Sequence, residues 1–102
     1  MLSELKALLD MVDKVLEKRR TSNVERMRDK VVTAIYKLGG NGGKAVKAER
    51  LEQEGGFSKV EIIQAIEMAK EQDWIIDMST HDGMAWALKS KAIYYVKGLL
   101  DG

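Results

Sequence analysis

Leu2, Leu5, Leu9, Val12 and Leu16 recur at alternating intervals of three and four residues, and Leu8, Met11 and Val15 broaden the stripe. That interval is the period of a one-faced helix, here about five turns long at 3.6 residues per turn. The stripe covers too few heptads to hold a coiled coil by itself. It is expected to pack on its own domain, on a symmetry-related copy, or on both, and all five residues are candidates for a dimer seam.

A second helix is announced by Ser22-Asn23-Val24-Glu25, where Ser22 as N-cap and Glu25 three residues on form a capping box. Met27, Val31, Ala34, Ile35 and Leu38 then repeat at helical spacing, and GGNGG at 39–43 stops the helix. Residues 44–46 suit a minimal strand, and 47–54 a short helix with Ala48 and Leu51 inward. Gly55-Gly56-Phe57 makes a turn. Ser58 with Glu61 repeats the capping box, opening a helix that runs to about residue 72. Residues 74–78 and 84–88 read as two strands around Thr80-His81-Asp82-Gly83. Asp-Gly between apolar runs is a strong hairpin signal, because primed turns require positive φ. Trp74 and Trp86 are expected to face each other across the base of this hairpin and anchor it to the core. Ser90 caps a final helix with Ile93, Val96 and Leu100 on one side.

Composition sets bounds on function without choosing one. The chain has 102 residues, 45% hydrophobic and 32% charged, with 17 basic against 16 acidic side chains and a net charge of +1. One soluble globular domain fits these values. So balanced a charge does not announce a polyanionic partner, although a local patch can suffice. Cysteine is absent, which removes disulfides and thiolate chemistry and is compatible with a reducing compartment. No apolar run reaches bilayer-spanning length, and charges throughout the first twenty residues argue against a signal peptide. A cytoplasmic protein without a membrane partner is expected.

The order helix, helix, short strand, helix, helix, hairpin, helix resembles a winged helix-turn-helix domain over residues 24–100. The resemblance is carried by LEQEGGFSK as helix and turn, by Ile62, Ala65, Ile66 and Ala69 as the core of the next helix, and by DWII leading into the wing. Two positions depart from the pattern: Gly55 stands where an apolar residue is usual, and Glu52 where alanine is usual. The tail ALKSKAIYYVKGLL is similar to segments in which a strand after the wing leads into a dimerisation helix. The resemblance implies a mainly α fold with a small β-hairpin, residues 1–22 forming an added N-terminal helix and 23–102 the winged-helix domain with its C-terminal helix. It further implies a partner, double-stranded DNA, and a homodimer of the kind found among small transcriptional regulators and plasmid or viral DNA-binding factors.

On a helical wheel at 100° per residue, Ile62, Ala65, Ile66 and Ala69 share one arc, whereas Val60, Gln64, Glu67 and Glu71 lie opposite. In a DNA-binding member of this family that outer face enters the major groove. Gln64 suits adenine, and Glu67 can accept from cytosine. Lys59, Lys44, Lys47, Ser58, Lys89 and the wing-tip His81 are the other DNA-contact candidates. Residues 58–72 nonetheless carry two lysines against three glutamates, and beside phosphates a glutamate is repulsive. Basic residues also gather at Lys18, Arg19, Arg20, Arg26, Arg28 and Lys30, where helix-dipole compensation and i,i+4 pairing account for them equally well. The alternative is a protein-interaction module using Val60, Ile63 and Met68; a third reading is a helical oligomerisation protein with a merely structural wing.

Enzyme chemistry is not expected, nor a cofactor. GGNGGKA has Leu38 at the first P-loop glycine position and Ala45 in place of the magnesium-binding hydroxyl. One histidine without cysteine cannot build the usual zinc sites, and no nucleophile is paired with His81.

Overall fold

The computed structural model describes residues 2–19 and 21–101, the side chains of Leu2 and Ser3 excepted. Five helices and three strands follow in the order α1 (Leu2–Lys18), α2 (Asn23–Leu38), β1 (Val46–Lys47), α3 (Ala48–Gly55), α4 (Lys59–Glu71), β2 (Ile75–Asp77), β3 (Ala85–Leu88) and α5 (Ser90–Asp101). The fold is mainly helical with a small antiparallel sheet, as the periodicities require. Among the described residues no helix is long and apolar enough to cross a membrane.

The centre of the molecule is α2. Arg28, Asp29 and every residue from Val31 to Tyr36 are buried, so this helix is surrounded rather than one-faced. Ser22 caps it by accepting from the Glu25 N–H at 3.2 Å. The expected capping box is only half realised there, because Glu25 takes the Ser22 hydroxyl (2.8 Å) as its partner. At Ser58 the box closes in full: Ser58 Oγ accepts from the Glu61 N–H at 3.1 Å and the Ser58 N–H donates to Glu61 Oε1 at 2.8 Å.

The α1 stripe is not a free seam. Leu5, Leu9, Val12 and Leu16 are all buried inside the same chain. Leu5 and Leu9 join the main core with α2, α3, α4 and the sheet, whereas Val12 and Leu16 pack with Leu99 of α5. This corrects their assignment as dimerisation residues, since side chains sealed within one protomer cannot also pack against a second. Leu2 lies outside the described side chains. The final helix turns Ala92, Val96 and Leu99 inward, with Ile93 and Leu100 half-buried at the margin.

β3 runs between β1 and β2, antiparallel to both. Val46 faces Trp86 and Lys47 faces Ala85; on the other side Ile75 faces Leu88, Ile76 faces Ala87 and Asp77 faces Trp86. The two tryptophans therefore do not face each other. Trp74 precedes β2 and lies opposite Lys89, whose N–H donates to its carbonyl at 2.8 Å, while its ring stacks on Tyr95 of α5 with centroids 4.7 Å apart. β1 begins at Val46 rather than Lys44, because the Lys44 N–H is taken by the Gly39 carbonyl at 3.0 Å. At the tip the chain reverses over His81 and Asp82. Thr80 and Gly83 exchange two backbone hydrogen bonds of 3.0 Å, and the positive φ, 142°, falls on Gly83. The reversal thus occupies the expected Thr80-His81-Asp82-Gly83 segment.

Gly55, the apparent anomaly between α3 and α4, has a steric cause. A Cβ on it would lie 2.6 Å from Cε2 of Phe57, whose buried ring covers this backbone. Phe57 supplies the apolar plug that the preceding residue lacks.

Candidate functional site

α4 exists because its apolar positions share one arc and its first turn is capped; Ile62, Ala65, Ile66 and Ala69 are at most 2% exposed. Sealing that arc turns the opposite ridge outward. Val60 is 65% exposed, and Gln64, Glu67 and Glu71 are exposed about one, two and three turns further on. Lys59 is exposed at the start of the same helix. Ser58 is exposed too, but its hydroxyl oxygen is engaged as the helix cap.

Of the three apolar residues named for a protein surface, only Val60 is open. Ile63 is half-buried and packs against the core, and Met68 is half-buried. Further open apolar side chains lie on the hairpin, where Ile76, Met78 and Met84 are 42%, 52% and 42% exposed. Sequence reasoning missed them because an isolated strand has no periodic stripe to reveal which face the fold leaves open. The signal was available in retrospect: Ile75-Ile76 placed apolar side chains on both faces of one strand.

The cations divide into committed and free. Lys89, named for DNA contact, is bonded to Asp73, which also has Lys91 at 3.6 Å. The hydrogen bond from Lys89 holds the Asp73 carboxyl below its ordinary range. Lys70 pairs with Asp77 at 3.2 Å. Hydrogen bonds from Ser79 and then from Lys70 bring Asp77 down to about 2. In the basic group around the α1–α2 junction, Arg26 and Lys30 grip Asp13 at 3.3 and 3.0 Å, and Arg28 is buried against Asp29 at 2.8 Å. Arg28 therefore offers nothing to a polyanion, and Arg20 lies outside the described residues.

Of the lysines named for DNA contact, Lys44, Lys47 and Lys59 are exposed without an ion pair among the described residues, as are Lys18 and Arg19 of the junction group. Lys47 is on the outward face of the sheet, in one row with Ala85, which it faces, and Met78, whose N–H donates to the Ala85 carbonyl at 2.9 Å. His81 is at the hairpin tip with 93% of its side chain exposed and Asp82 3.7 Å away. The fold thus unites Val60, Gln64 and Glu67 on one ridge, and sets Lys47 with the hairpin instead. Among the described residues no three histidine or carboxylate side chains converge as a metal site would require.

Arg28, Asp29 and Tyr95 were not foreseen as a unit. Arg28 donates to Asp29 Oδ1 from Nε at 2.9 Å and lies over the rings of Trp74 and Tyr95 at 4.7 and 5.9 Å. The cluster fixes the root of the hairpin to α2 and α5 and is structural in character. Comparison with family models, with curated proteins and with solved structures found no match to this chain.

Proposed function

We propose that this protein is a winged-helix DNA-binding protein of the regulator type, with α4 as the helix that enters the major groove and the β2–β3 hairpin as the wing. The sequence of elements from α2 to β3, together with the sheet order β1-β3-β2, supports the winged-helix reading. One observation carries the functional step: α4 seals its aliphatic arc and holds Gln64 in the open, one turn beyond the exposed Val60. A glutamine so placed can bond bidentately to adenine, and an apolar side chain beside it can meet the thymine methyl.

Phosphate attraction is small in this reading. Of the lysines named for DNA contact, Lys44, Lys47 and Lys59 are those without an ion pair among the described residues, so if they alone touch phosphate, binding should depend on salt with a logarithmic slope of about −3, given about 0.9 per phosphate neutralised. The proposal is one protomer presenting one helix, because the apolar stripe that argued for a dimer is spent inside the chain. Titration of random and genomic duplexes at about 50 mM and about 200 mM salt tests it. Binding that weakens with this shallow slope supports it; no binding at the lower salt overturns it.

A second reading, a winged-helix module that binds protein, draws on the open apolar hairpin face of Ile76 and Met78. Exposed apolar area of this kind commonly marks an interaction site. Absence of duplex binding at the lower salt would favour it.

A further inference from the structure

The most awkward residue for a DNA reader is Glu67, an exposed carboxylate on the outward ridge of α4 beside Gln64. No salt bridge to a described residue screens it, and Lys70, the next cation along the helix, is held by Asp77 at 3.2 Å. A carboxylate brought into the major groove is repelled by both phosphate strands. It is repelled again by any base edge that presents acceptors.

The four bases differ sharply in this respect. Guanine offers only the N7 and O6 acceptors, thymine offers O4, and adenine sets N7 beside its N6 amine. Cytosine alone presents a donor, N4, with no acceptor of its own on the major-groove edge. We infer that Glu67 is a specificity-determining residue that restricts the site to sequences with cytosine at one fixed position, chiefly by penalising every other base. The inference rests on the DNA-binding reading of α4 and names what that helix selects.

Spacing adds a second constraint. Gln64 and Glu67 are three residues apart, which is about 4.5 Å along the helix axis at 1.5 Å per residue. That separation is close to one base step, so the adenine met by Gln64 and the cytosine met by Glu67 belong to neighbouring base pairs. Glu71 carries the same charge on the same ridge, but it ends the helix. In helix-turn-helix docking base contact falls off from the N-terminal part of the reading helix toward its C-terminal end, and Glu71 lies one turn beyond Glu67. Glu71 therefore acts on affinity alone and supplies an internal control.

The experiment is selection from a random duplex library by the wild type, Glu67→Gln and Glu71→Gln, followed by titration of the enriched duplex and of single-base variants. For the wild type we expect one position that demands cytosine, with other bases bound about ten- to a hundred-fold more weakly. Glu67→Gln should bind random duplex more tightly and lose that demand, whereas Glu71→Gln should bind more tightly with the demand intact. If the wild type selects a motif that Glu67→Gln selects unchanged, the inference is overturned while DNA binding stands. If both variants raise affinity uniformly and neither alters preference, Glu67 is only a charge and the inference is likewise overturned. Should no duplex be retained by any of the three proteins at low salt, the DNA reading fails and the inference falls with it.

Discussion

The hydroxyl of Tyr95 donates a 2.6 Å hydrogen bond to Asp29 Oδ2, joining two residues 66 positions apart in the chain. Asp29 is fully buried, and its other oxygen is taken by Arg28, so one carboxylate ties α2 to α5. Among the described residues no buried side-chain nitrogen or oxygen lacks a partner. A buried ion pair completed in this way is costly to break from one side, although it need not outperform a well-packed apolar pair.

Tyr95→Phe removes the donor and leaves Asp29 Oδ2 short of a hydrogen bond in the interior. A loss of about 1–3 kcal/mol is expected. Asp29→Ala strips Arg28 of its counter-charge and should cost more, about 3–5 kcal/mol. Urea unfolding checks both, through a lower midpoint at unchanged slope. A Tyr95→Phe variant as stable as the wild type would mean that the bond contributes nothing.

The same tyrosine sets the alkaline limit. Burial first, and the bond to Asp29 second, push its hydroxyl up to about 12. A folded-state value above the ordinary 10 means that folding favours the protonated form. The contribution is therefore complete below about pH 10 and is lost as pH rises through the folded value. Asp77 acts in the opposite sense. Held down at about 2 by Ser79 and Lys70, it contributes above about pH 4 and loses that contribution as pH falls toward the folded value. Because Asp77 is exposed, added salt should weaken the acid limb. Unfolding midpoints across the pH range should show Tyr95→Phe flattening only the alkaline side and Asp77→Asn only the acid side.

Much of this arrangement was legible in the sequence, for a physical reason. Ile62, Ala65, Ile66 and Ala69 repeat at the helical period, so the buried arc of α4, and hence the exposure of Gln64, followed from spacing alone. Ser58-Glu61 fixed where that helix starts. The ion-pair commitments were not legible, because Lys89 and Asp73 are brought together only by the path of the chain from α4 into β2 and back to α5. Nor was the burial of Arg28 and Asp29. The stripe of Met27, Val31, Ala34 and Ile35 points one way, but Val32, Thr33 and Tyr36 are buried as well. A helix apolar over so wide an arc is enclosed, and the residues one turn before that second stripe are enclosed with it. Register defeated the tryptophan pairing: Trp86 falls opposite Asp77, and β2 begins only at Ile75, which leaves Trp74 outside the sheet.

Leu16 separates a core role from a dimer seam. It is fully buried and packs with Val12 and Leu99. Leu16→Ala should lower stability by about 2–5 kcal/mol through lost burial and a residual cavity. The unfolding midpoints of wild type and variant should not shift with protein concentration, whereas a dimer seam would make them rise with it. A concentration-dependent midpoint that Leu16→Ala abolishes would restore the seam.

Lys44 and Lys47 separate phosphate contact from base reading. Each is exposed and without an ion pair among the described residues, so each is free to displace a counterion from DNA. Lys44→Ala or Lys47→Ala should weaken every duplex alike and reduce the magnitude of the logarithmic salt slope by about 0.9. Lys89→Ala should change the slope less, because its charge is already balanced by Asp73. Gln64→Ala should leave the slope intact and relax the preference at one base pair, since an amide neutralises no phosphate. Slopes measured for the four variants against the wild type decide the assignment. Equal slopes for the wild type, Lys44→Ala and Lys47→Ala, with duplex binding retained, would place the phosphate contacts on other residues and remove both lysines from the interface.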